Sequence, residues 1–322
     1  MVFLFPPYVH ALDIVPFTTK NQSPIVQIYG LPSAGSAHLL SPGQKEVLVM
    51  MDYSSNYVED NKGGESITLD GETARVTLHG KYGLSKNVEC GIEVPYVVHG
   101  GGFLDSFIIH YHDLFGFPQG GRDKAHRNRL LYRYSREGVE KMRIDSSSNG
   151  LGDVSLTAGF QLYYDGKEYP RALVLRTSLK IPTGDSDSLH GSGSIDFSCL
   201  FTASDDYKLR YGHGKLFASM GFMAMTRGDV LSAQQRHYVG FGSMGGGWSP
   251  FSWMALKIQL DAHTPFYKDS QLRELSTSSA QVIIGGVLAL SERTSLDIAV
   301  SEDIITKASP DVVFHFALRT RF

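Results

Sequence analysis

The chain ends in Phe314-His-Phe-Ala-Leu-Arg-Thr-Arg-Phe322, a stretch in which large apolar side chains occupy nearly every second position. Histidine, alanine and two arginines stand between them. A period of two places successive side chains on opposite faces of a β-strand, whereas an amphipathic helix repeats every 3.6 residues. This stretch therefore predicts a strand with one apolar and one polar face.

The same alternation recurs along the chain, most clearly in Arg75–Leu84, Val88–Val98, Arg171–Ile181 and Met254–His263. A soluble β-sandwich also alternates. Here, however, charges of both signs lie near the middle of the polar faces, where a water-filled or ion-paired lumen would accept them. Aromatic residues gather near the segment ends, as in the interfacial girdles of outer-membrane barrels. The pattern predicts an all-β protein, a transmembrane antiparallel β-barrel.

We expect about twelve strands, because short and long linkers alternate and an even number places both ends of the barrel sheet in the periplasm. The longest connection, residues 100–150, is predicted as an outer loop that contains a short helix. The predicted strands are 43–57, 66–83, 87–99, 151–163, 169–182, 190–203, 210–225, 236–248, 252–264, 278–290, 293–302 and 311–322.

Length and charge agree with a single barrel. The chain has 322 residues and a formal net charge of −3, so no overall positive field indicates nucleic acid as a partner. Residues 1–11, which end in Val9-His10-Ala11, are interpreted as the remnant of a signal peptide. Residues 12–42 are rich in Pro, Ser and Gly and are predicted as a periplasmic or plug-like segment. Residues 43–322 are predicted as the barrel.

Part of the long loop has apolar residues at helical spacing. This helix is interpreted either as a lid that offers a groove to a hydrophobic ligand, or as an extracellular helix packed on the barrel rim. The predicted gate or ligand groove consists of Phe103, Leu104, Phe107, Ile108, Tyr111 and Phe115. The basic run Arg122–Arg136 follows, and it either binds lipopolysaccharide phosphates or remains a solvated loop.

Polar side chains on the inward faces are predicted to line the lumen. They either form a hydrophilic path or pair with one another and fill a narrow barrel, and their nearly equal numbers of positive and negative charges favour the second alternative. The predicted lumen-lining residues are Arg75, His79, Lys81, Glu89, Glu93, Asp153, Arg176, Lys180, Asp196, Lys215, Lys257, Asp261, Asp297, Arg319 and Arg321.

Motifs of catalysis and metal binding are nearly absent. The chain contains no CxxC, HExxH or GxSxG motif, and we expect no cofactor, no metal and no catalytic residue. Ser146-Ser-Ser-Asn-Gly150 faintly resembles the serine site of an outer-membrane phospholipase, but the motif contains no histidine. A lipid-active enzyme is therefore kept only as a second alternative.

Several motifs resemble known families. Asn21-Gln-Ser-Pro-Ile-Val-Gln-Ile-Tyr-Gly-Leu-Pro32, with Gly102-Phe-Leu-Asp-Ser-Phe107 and Gly120-Gly-Arg-Asp123, resembles a bacterial outer-membrane family known as domain of unknown function 3187. Gly150-Leu-Gly-Asp-Val154 and Lys180-Ile-Pro-Thr-Gly-Asp185 resemble a wider group of barrel transporters linked to meta-pathway phenol degradation. A terminal Phe322 behind alternating aromatics resembles the signal read by the outer-membrane insertion machinery.

These observations predict a channel or transporter in the bacterial outer membrane, for passive uptake of a small solute, with hydrophobic and aromatic solutes as candidates. The first alternative is a non-transporting structural or assembly barrel that holds a partner. The expected partners are outer-membrane lipid and lipopolysaccharide, the insertion machinery acting on Phe322, and an unidentified solute.

Overall fold

Twelve antiparallel strands form a closed ring in the computed structural model, which describes residues 12–116, 121–304 and 308–322. The predicted signal-peptide remnant, residues 1–11, lies outside the described residues. The ring strands are β1 (Lys45–Lys62), β2 (Glu65–Ser85), β3 (Val88–Gly100), β7 (Val154–Tyr164), β8 (Arg171–Ile181), β9 (Asp196–Lys208), β10 (His213–Met225), β11 (Tyr238–Phe251), β12 (Met254–His263), β13 (Ser279–Ala289), β14 (Thr294–Asp303) and β15 (Val312–Arg321).

The first and last strands pair with each other and close the ring. Their register runs from Glu46 opposite Arg321 to Ser55 opposite Val312. The closure predicted from the alternation is therefore confirmed, as is the number of strands. A closed barrel leaves no unpaired sheet edge, which a lipid bilayer could not solvate. We call the end with the short turns the periplasmic end and the opposite end the outer end.

The ring differs from the prediction mainly at the outer end. Residues 58–64 were predicted as a long linker, but β1 and β2 pair up to Lys62 and Glu65. Gly63 and Gly64 make the two-residue turn with φ of 60° and 80°, the left-handed values that a type I′ hairpin requires. The β1–β2 hairpin therefore projects beyond the rest of the ring.

The long loop contains the predicted short helix and also strands that were not predicted. Strand β4 (Leu131–Arg136) adds to the projecting part of β2, and β6 (Ser148–Leu151) adds to the end of β3. Neither α-helix in the described part of the chain is long and apolar enough to cross a membrane. The additional elements are α1 (Asp105–Phe115), a 3₁₀ turn (Arg122–Lys124), β4 (Leu131–Arg136), β5 (Val139–Ile144), β6 (Ser148–Leu151) and α2 (Arg273–Ser276).

The outward face of the ring carries a belt of exposed apolar side chains. On β2, Val76 and Leu78 are 40% and 50% exposed, whereas the alternate Arg75, Thr77 and His79 are buried. Because the exposed side chains are apolar and the buried ones are polar, the usual arrangement of a soluble protein is inverted. This inversion is what a barrel in lipid requires.

The polar and apolar faces of strand β11 cannot be distinguished from the sequence, because Gly245, Gly246 and Gly247 interrupt the alternation. A Cβ atom on Gly245 would lie 2.3 Å from the carbonyl oxygen of Ile258 on the neighbouring strand. One on Gly247 would lie 2.6 Å from Cγ2 of Ile14, which belongs to the N-terminal segment. The glycines therefore allow other parts of the chain to approach the strand closely.

Candidate functional site: the lumen and residues 12–42

Residues 12–42 fold back on themselves on the inward side of the ring, and most of their side chains are buried. The first limb, residues 12–23, leads from the periplasmic end to the outer end. A turn at 24–29 reverses the chain, with the N–H groups of residues 26 and 27 bonded to the carbonyl oxygen of residue 23. The second limb, residues 30–42, returns and leads into β1.

The first limb follows β12 in constant register. Its hydrogen bonds to β12, and the bond of Ile25 in the turn to the loop after β12, join residues whose numbers all differ by 242. A constant offset means that both segments rise equally per residue, so the limb is extended like a strand. The bonded pairs are Val15 O with Lys257 Nζ (3.0 Å), Phe17 N with Gln259 Oε1 (2.8 Å), Asn21 Nδ2 with His263 Nε2 (2.9 Å) and Ile25 O with Tyr267 OH (2.8 Å).

The second limb is held by side chains of β3, β8 and β9. Burying a backbone polar group without a hydrogen-bond partner costs free energy. No strand of the ring pairs with this limb, so side chains of the wall form hydrogen bonds with its backbone instead. The bonds are Gly30 N to Asp196 Oδ2 (2.7 Å), Arg176 Nη2 to Ser36 O (2.6 Å), Leu40 N to Glu89 Oε2 (2.9 Å) and Thr202 Oγ1 to Ala34 O (2.9 Å).

The structure places every residue predicted to line the lumen on the inward side, where each contacts another inward residue or borders a cavity. Most are ion-paired, as the filling alternative expects. The pairs include Lys180 with Asp153 (2.5 Å) and Asp196 (3.2 Å), Arg176 with Glu89 (2.5 Å), His79 with Glu93 (3.2 Å), Lys215 with Asp206 (3.3 Å), Lys257 with Asp297 (2.5 Å), Lys81 with Glu46 (3.1 Å), and Arg319 and Arg321 with Glu46 (3.7 and 2.9 Å). The remaining two are Asp261, which accepts a bond from Gln259, and Arg75, which donates to the backbone of residue 27.

Part of this network was not predicted from the sequence. Glu46 bonds Lys81, Arg319 and Arg321, and Asp52 pairs with His315 at 2.8 Å. Glu46 and Asp52 share one face of β1, so applying the alternation to that strand would have found both. Asp13 pairs with Lys215 at 3.0 Å. It belongs to the N-terminal segment, whose sequence has no alternation from which the direction of the side chain could be predicted.

Three cavities follow one another between residues 12–42 and the wall. The outer cavity is about 10 Å³, the middle cavity about 60 Å³ and the periplasmic cavity about 20 Å³. Adjacent cavities share lining residues, so they lie in a file along the lumen. The outer and middle cavities share Lys20, Gly30, Glu93 and Ser155; the middle and periplasmic cavities share Thr18, Gly35, Lys81 and Arg176.

Buried apolar residues fill the outer end of the lumen. They come from residues 25–31 of the N-terminal segment, the wall strands β2, β9, β10 and β11, the β4–β5 hairpin and the loops 182–195, 226–237 and 264–278; we call them the outer cluster. The Tyr29 and Phe266 rings stack at 4.9 Å, and the Tyr29 hydroxyl donates to that of Tyr267 at 3.3 Å. Since these segments are far apart in sequence, the cluster joins the N-terminal segment to the outer loops.

The β4–β5 hairpin contributes Tyr134 to the outer cluster. Its hydroxyl donates to Glu65 at 2.5 Å and accepts a bond from Gln234 at 2.7 Å. Burial, together with the bond to the Glu65 carboxylate, raises the pKa of Tyr134 to about 12. The phenol therefore stays protonated and continues to donate at physiological pH. In the basic run, Arg122 is buried against Asp105 and is not free to bind phosphate.

Helix α1 lies on the outer wall of the ring. Glu72, on the outward face of β2, accepts the N–H groups of Phe103 and Leu104, at 3.0 and 2.6 Å from Oε1. The Phe107 ring lies 6.4 Å from that of Phe314, and Phe103 and Phe107 are 68% and 56% exposed. This position favours the rim alternative over a lid in the lumen. Leu104 and Ile108 are buried beneath the helix, while the side chains of Tyr111 and Phe115 lie outside the described residues.

The serine motif lies near a histidine in the outer loops. Ser148 Oγ is 3.2 Å from Nε2 of His190, whose ring stacks on His99 at 5.6 Å. Within the described ranges, no carboxylate forms an ion pair with His190 that would orient it as a base. Those same ranges contain no group of three His, Cys, Asp or Glu side chains placed to hold a metal ion.

The comparisons agree with this architecture. A family model described as "Protein of unknown function (DUF3187)" matches residues 1–322, and no curated protein matches the chain. The COG4313 outer membrane channel from Pseudomonas putida F1 is similar in structure, with 12% identity, a TM-score of 0.56 and coverage of 89% of this chain and 98% of that one.

Two further solved structures are more distant. The NanC porin has 6% identity and a TM-score of 0.47 over 86% of this chain and 98% of that one. The CymD monoaromatic hydrocarbon channel has 10% identity and a TM-score of 0.38 over 88% of this chain and 90% of that one. The fold of the chain is the barrel fold seen in the COG4313 outer membrane channel.

Proposed function

We propose that this chain, which belongs to the DUF3187 family, is a passive outer-membrane channel for a small solute, closed in this structure by its own residues 12–42. The family description assigns no activity. The proposal therefore rests on the lumen, and above all on the file of three cavities beside the N-terminal segment.

The cavities support a route because they are adjacent and polar groups border all of them. A filled structural core would instead be packed without a file of voids. The route is narrow, since the middle cavity has only about 60 Å³. A cavity of about 10–15 Å³ is the smallest that holds one water molecule. The solute is therefore small unless residues 12–42 move.

The way residues 12–42 are held supports their role as a movable plug. Strand-to-strand pairing of the ring does not involve them, and their bonds to the wall come mainly from single side chains. Water can replace such bonds at a net cost of about 0.5–1.5 kcal/mol for a neutral side chain and about 1.5–3 kcal/mol for a charged one. The plug can thus shift while the barrel stays closed on itself.

Part of the middle cavity supports a solute with an apolar portion. Leu31, Pro32, Ala158 and Leu200 border it beside the charged residues. Pockets that combine apolar walls with a few polar groups are the usual form of small-molecule sites. This agrees with the hydrophobic or aromatic solutes expected from the resemblance to the phenol-degradation group.

Liposome swelling tests the proposal. Proteoliposomes of the full chain should swell faster than protein-free liposomes in small neutral solutes such as glycerol, and no faster in a trisaccharide. Equal swelling with and without protein would contradict a channel. Heat-modifiable migration on gels checks that the barrel is folded.

A non-transporting structural barrel is the second candidate, favoured by the outer cluster that fills the outer end. Under this alternative the lumen stays impermeable even after the plug is removed. A barrel lacking residues 12–40 that still blocks glycerol would support it over the channel.

A further inference from the structure

We propose that the outer and middle cavities together bind a small monocarboxylate. With this proposal, which rests on the proposed function, we name the chemical class of the solute. The carboxylate group would lie among Lys20, Arg75 and Gln27. The apolar part would lie against Leu31 and Leu200. These residues come from both the N-terminal segment and the wall, so the site exists only while residues 12–42 occupy the lumen.

The cations around the two cavities differ in how they are paired. Lys180 is neutralised by Asp153 and Asp196, Arg176 by Glu89, and Lys81 by Glu46. Lys20 and Arg75 differ, because no carboxylate of the described residues lies within 4.0 Å of either one. Glu93 borders both cavities but forms its ion pair with His79, at 3.2 Å. Both cations therefore lack a direct ion pair, although the carboxylates of Asp52, Glu93 and Asp153 lie nearby.

Unpartnered polar atoms point to a ligand at the same place. Arg75 is 7% exposed and Gln27 is 1% exposed, and both border the outer cavity. Nε of Arg75 has no hydrogen-bond partner, nor do Nε2 and Oε1 of Gln27. Buried polar groups are nearly always bonded, so such a set indicates a missing polar molecule. A carboxylate can accept bonds from the guanidinium, the ammonium and the amide at once.

The shape of the two cavities indicates a ligand with two unlike ends. The outer cavity, about 10 Å³, is bordered almost entirely by polar groups. The middle cavity, about 60 Å³, adds the apolar side chains of Leu31, Pro32, Ala158 and Leu200. A bare inorganic anion would leave this apolar part unfilled. A short carboxylic acid of about the size of propionate matches both ends.

Calorimetric titration of the full chain in detergent tests the assignment. We expect propionate to bind at least tenfold more tightly than propionamide, which has nearly the same shape and no charge. Lys20→Met should weaken propionate binding at least tenfold and leave propionamide unchanged. Lys86→Met, which removes an exposed lysine from a periplasmic turn, is the matched control and should bind as the wild type does.

Equal affinity for propionate and propionamide would overturn the inference, as would a folded Lys20→Met variant with unchanged affinity. Chloride binding as tightly as propionate would overturn the carboxylate assignment. If Lys20→Met fails to give a heat-modifiable barrel, the affinities of the wild type for propionate, propionamide and chloride still test the carboxylate assignment. A protein that swells liposomes but does not bind propionate refutes this inference alone. A protein that binds propionate but forms no channel refutes the proposed function alone.

Discussion

The Lys257 ammonium lies 2.5 Å from Oδ1 of Asp297, and both side chains are fully buried between β12 and β14. The same ammonium donates to the carbonyl oxygen of Val15 at 3.0 Å and lies 3.9 Å from the centre of the Phe17 ring. One wall cation thus neutralises a buried carboxylate and also holds the first limb of the N-terminal segment.

Removing this cation should destabilise the barrel. Lys257→Met leaves the Asp297 carboxylate buried without its partner, and we expect the free energy of unfolding to fall by about 3–5 kcal/mol. The double variant Lys257→Met/Asp297→Leu should recover most of that loss, because no charge remains buried. Urea unfolding in detergent, followed by tryptophan fluorescence, measures both. A single variant as stable as the wild type would contradict the role of the pair.

The anchor of helix α1 gives a second prediction. Glu72→Ala removes the carboxylate that accepts two backbone N–H groups at the start of the helix. Bonds to a charged group contribute about 1.5–3 kcal/mol, so local opening should become about 10–100-fold more frequent. Limited trypsin digestion should therefore cut the exposed Arg127 faster. Glu59→Ala, at an exposed site on β1, is the control, and equal rates in both variants would contradict the anchor.

The loop 182–195 should loosen in mild acid. Burial lowers the pKa of His190 below its ordinary value of 6.5, with Asp185 opposing the shift, so the folded loop favours the neutral ring. The stability that neutral His190 contributes is therefore fully present above the pKa of this group in the unfolded chain. It is lost as the pH falls from about 6.5 towards the lower pKa of His190 in the folded loop. The protection of this loop against hydrogen exchange, corrected for the slower intrinsic exchange in acid, should fall between pH 7.5 and 5.5.

His190→Asn provides the control for that experiment, because asparagine can bond to Ser148 but does not titrate in this range. The variant should lose most of the pH dependence, with His99, stacked on His190, accounting for the remainder. Identical pH profiles in the wild type and the variant would assign the effect to another group.

Phe322 gives a prediction about assembly. Its backbone bonds to Lys45 on β1, with N–H···O and O···H–N distances of 2.9 and 3.2 Å, while its side chain is 65% exposed. The ring therefore adds little to packing within the protein. Deleting Phe322 should lower the amount of heat-modifiable barrel in the outer membrane, whereas liposome swelling per folded barrel should be unchanged. Phe322→Trp should assemble normally.

The alternation predicted the ring because a strand between lipid and lumen has two chemically different faces, as in Met254–His263. The alternation did not predict β4, although Tyr132 and Tyr134 alternate there, because Arg133, Ser135 and Arg136 make the run look like a solvated loop. Strand β4 exists because β2 projects beyond the ring and offers it an edge.

The path of residues 12–42 through the lumen could not be predicted from the sequence. The segment has no period, and its bonds to Lys257, Gln259 and His263 join residues 242 positions apart. Such contacts depend on which inward side chains the closed ring brings close to the segment. A local sequence pattern cannot predict this arrangement. The sequence could not show for the same reason that Arg75 lacks an ion pair, because ion pairing depends on which strands the ring brings together.

Single-channel recording in planar bilayers tests the central claim, that residues 12–42 close an otherwise permeable barrel. A barrel of twelve strands has a lumen somewhat wider than the eight-stranded case that side chains alone can fill, so removing the plug should open it. Deleting residues 12–40 should raise the conductance roughly tenfold or more over the full chain, while deleting the loop 103–143 should have a smaller effect. A folded barrel without residues 12–40 that conducts no more than the full chain would contradict the account.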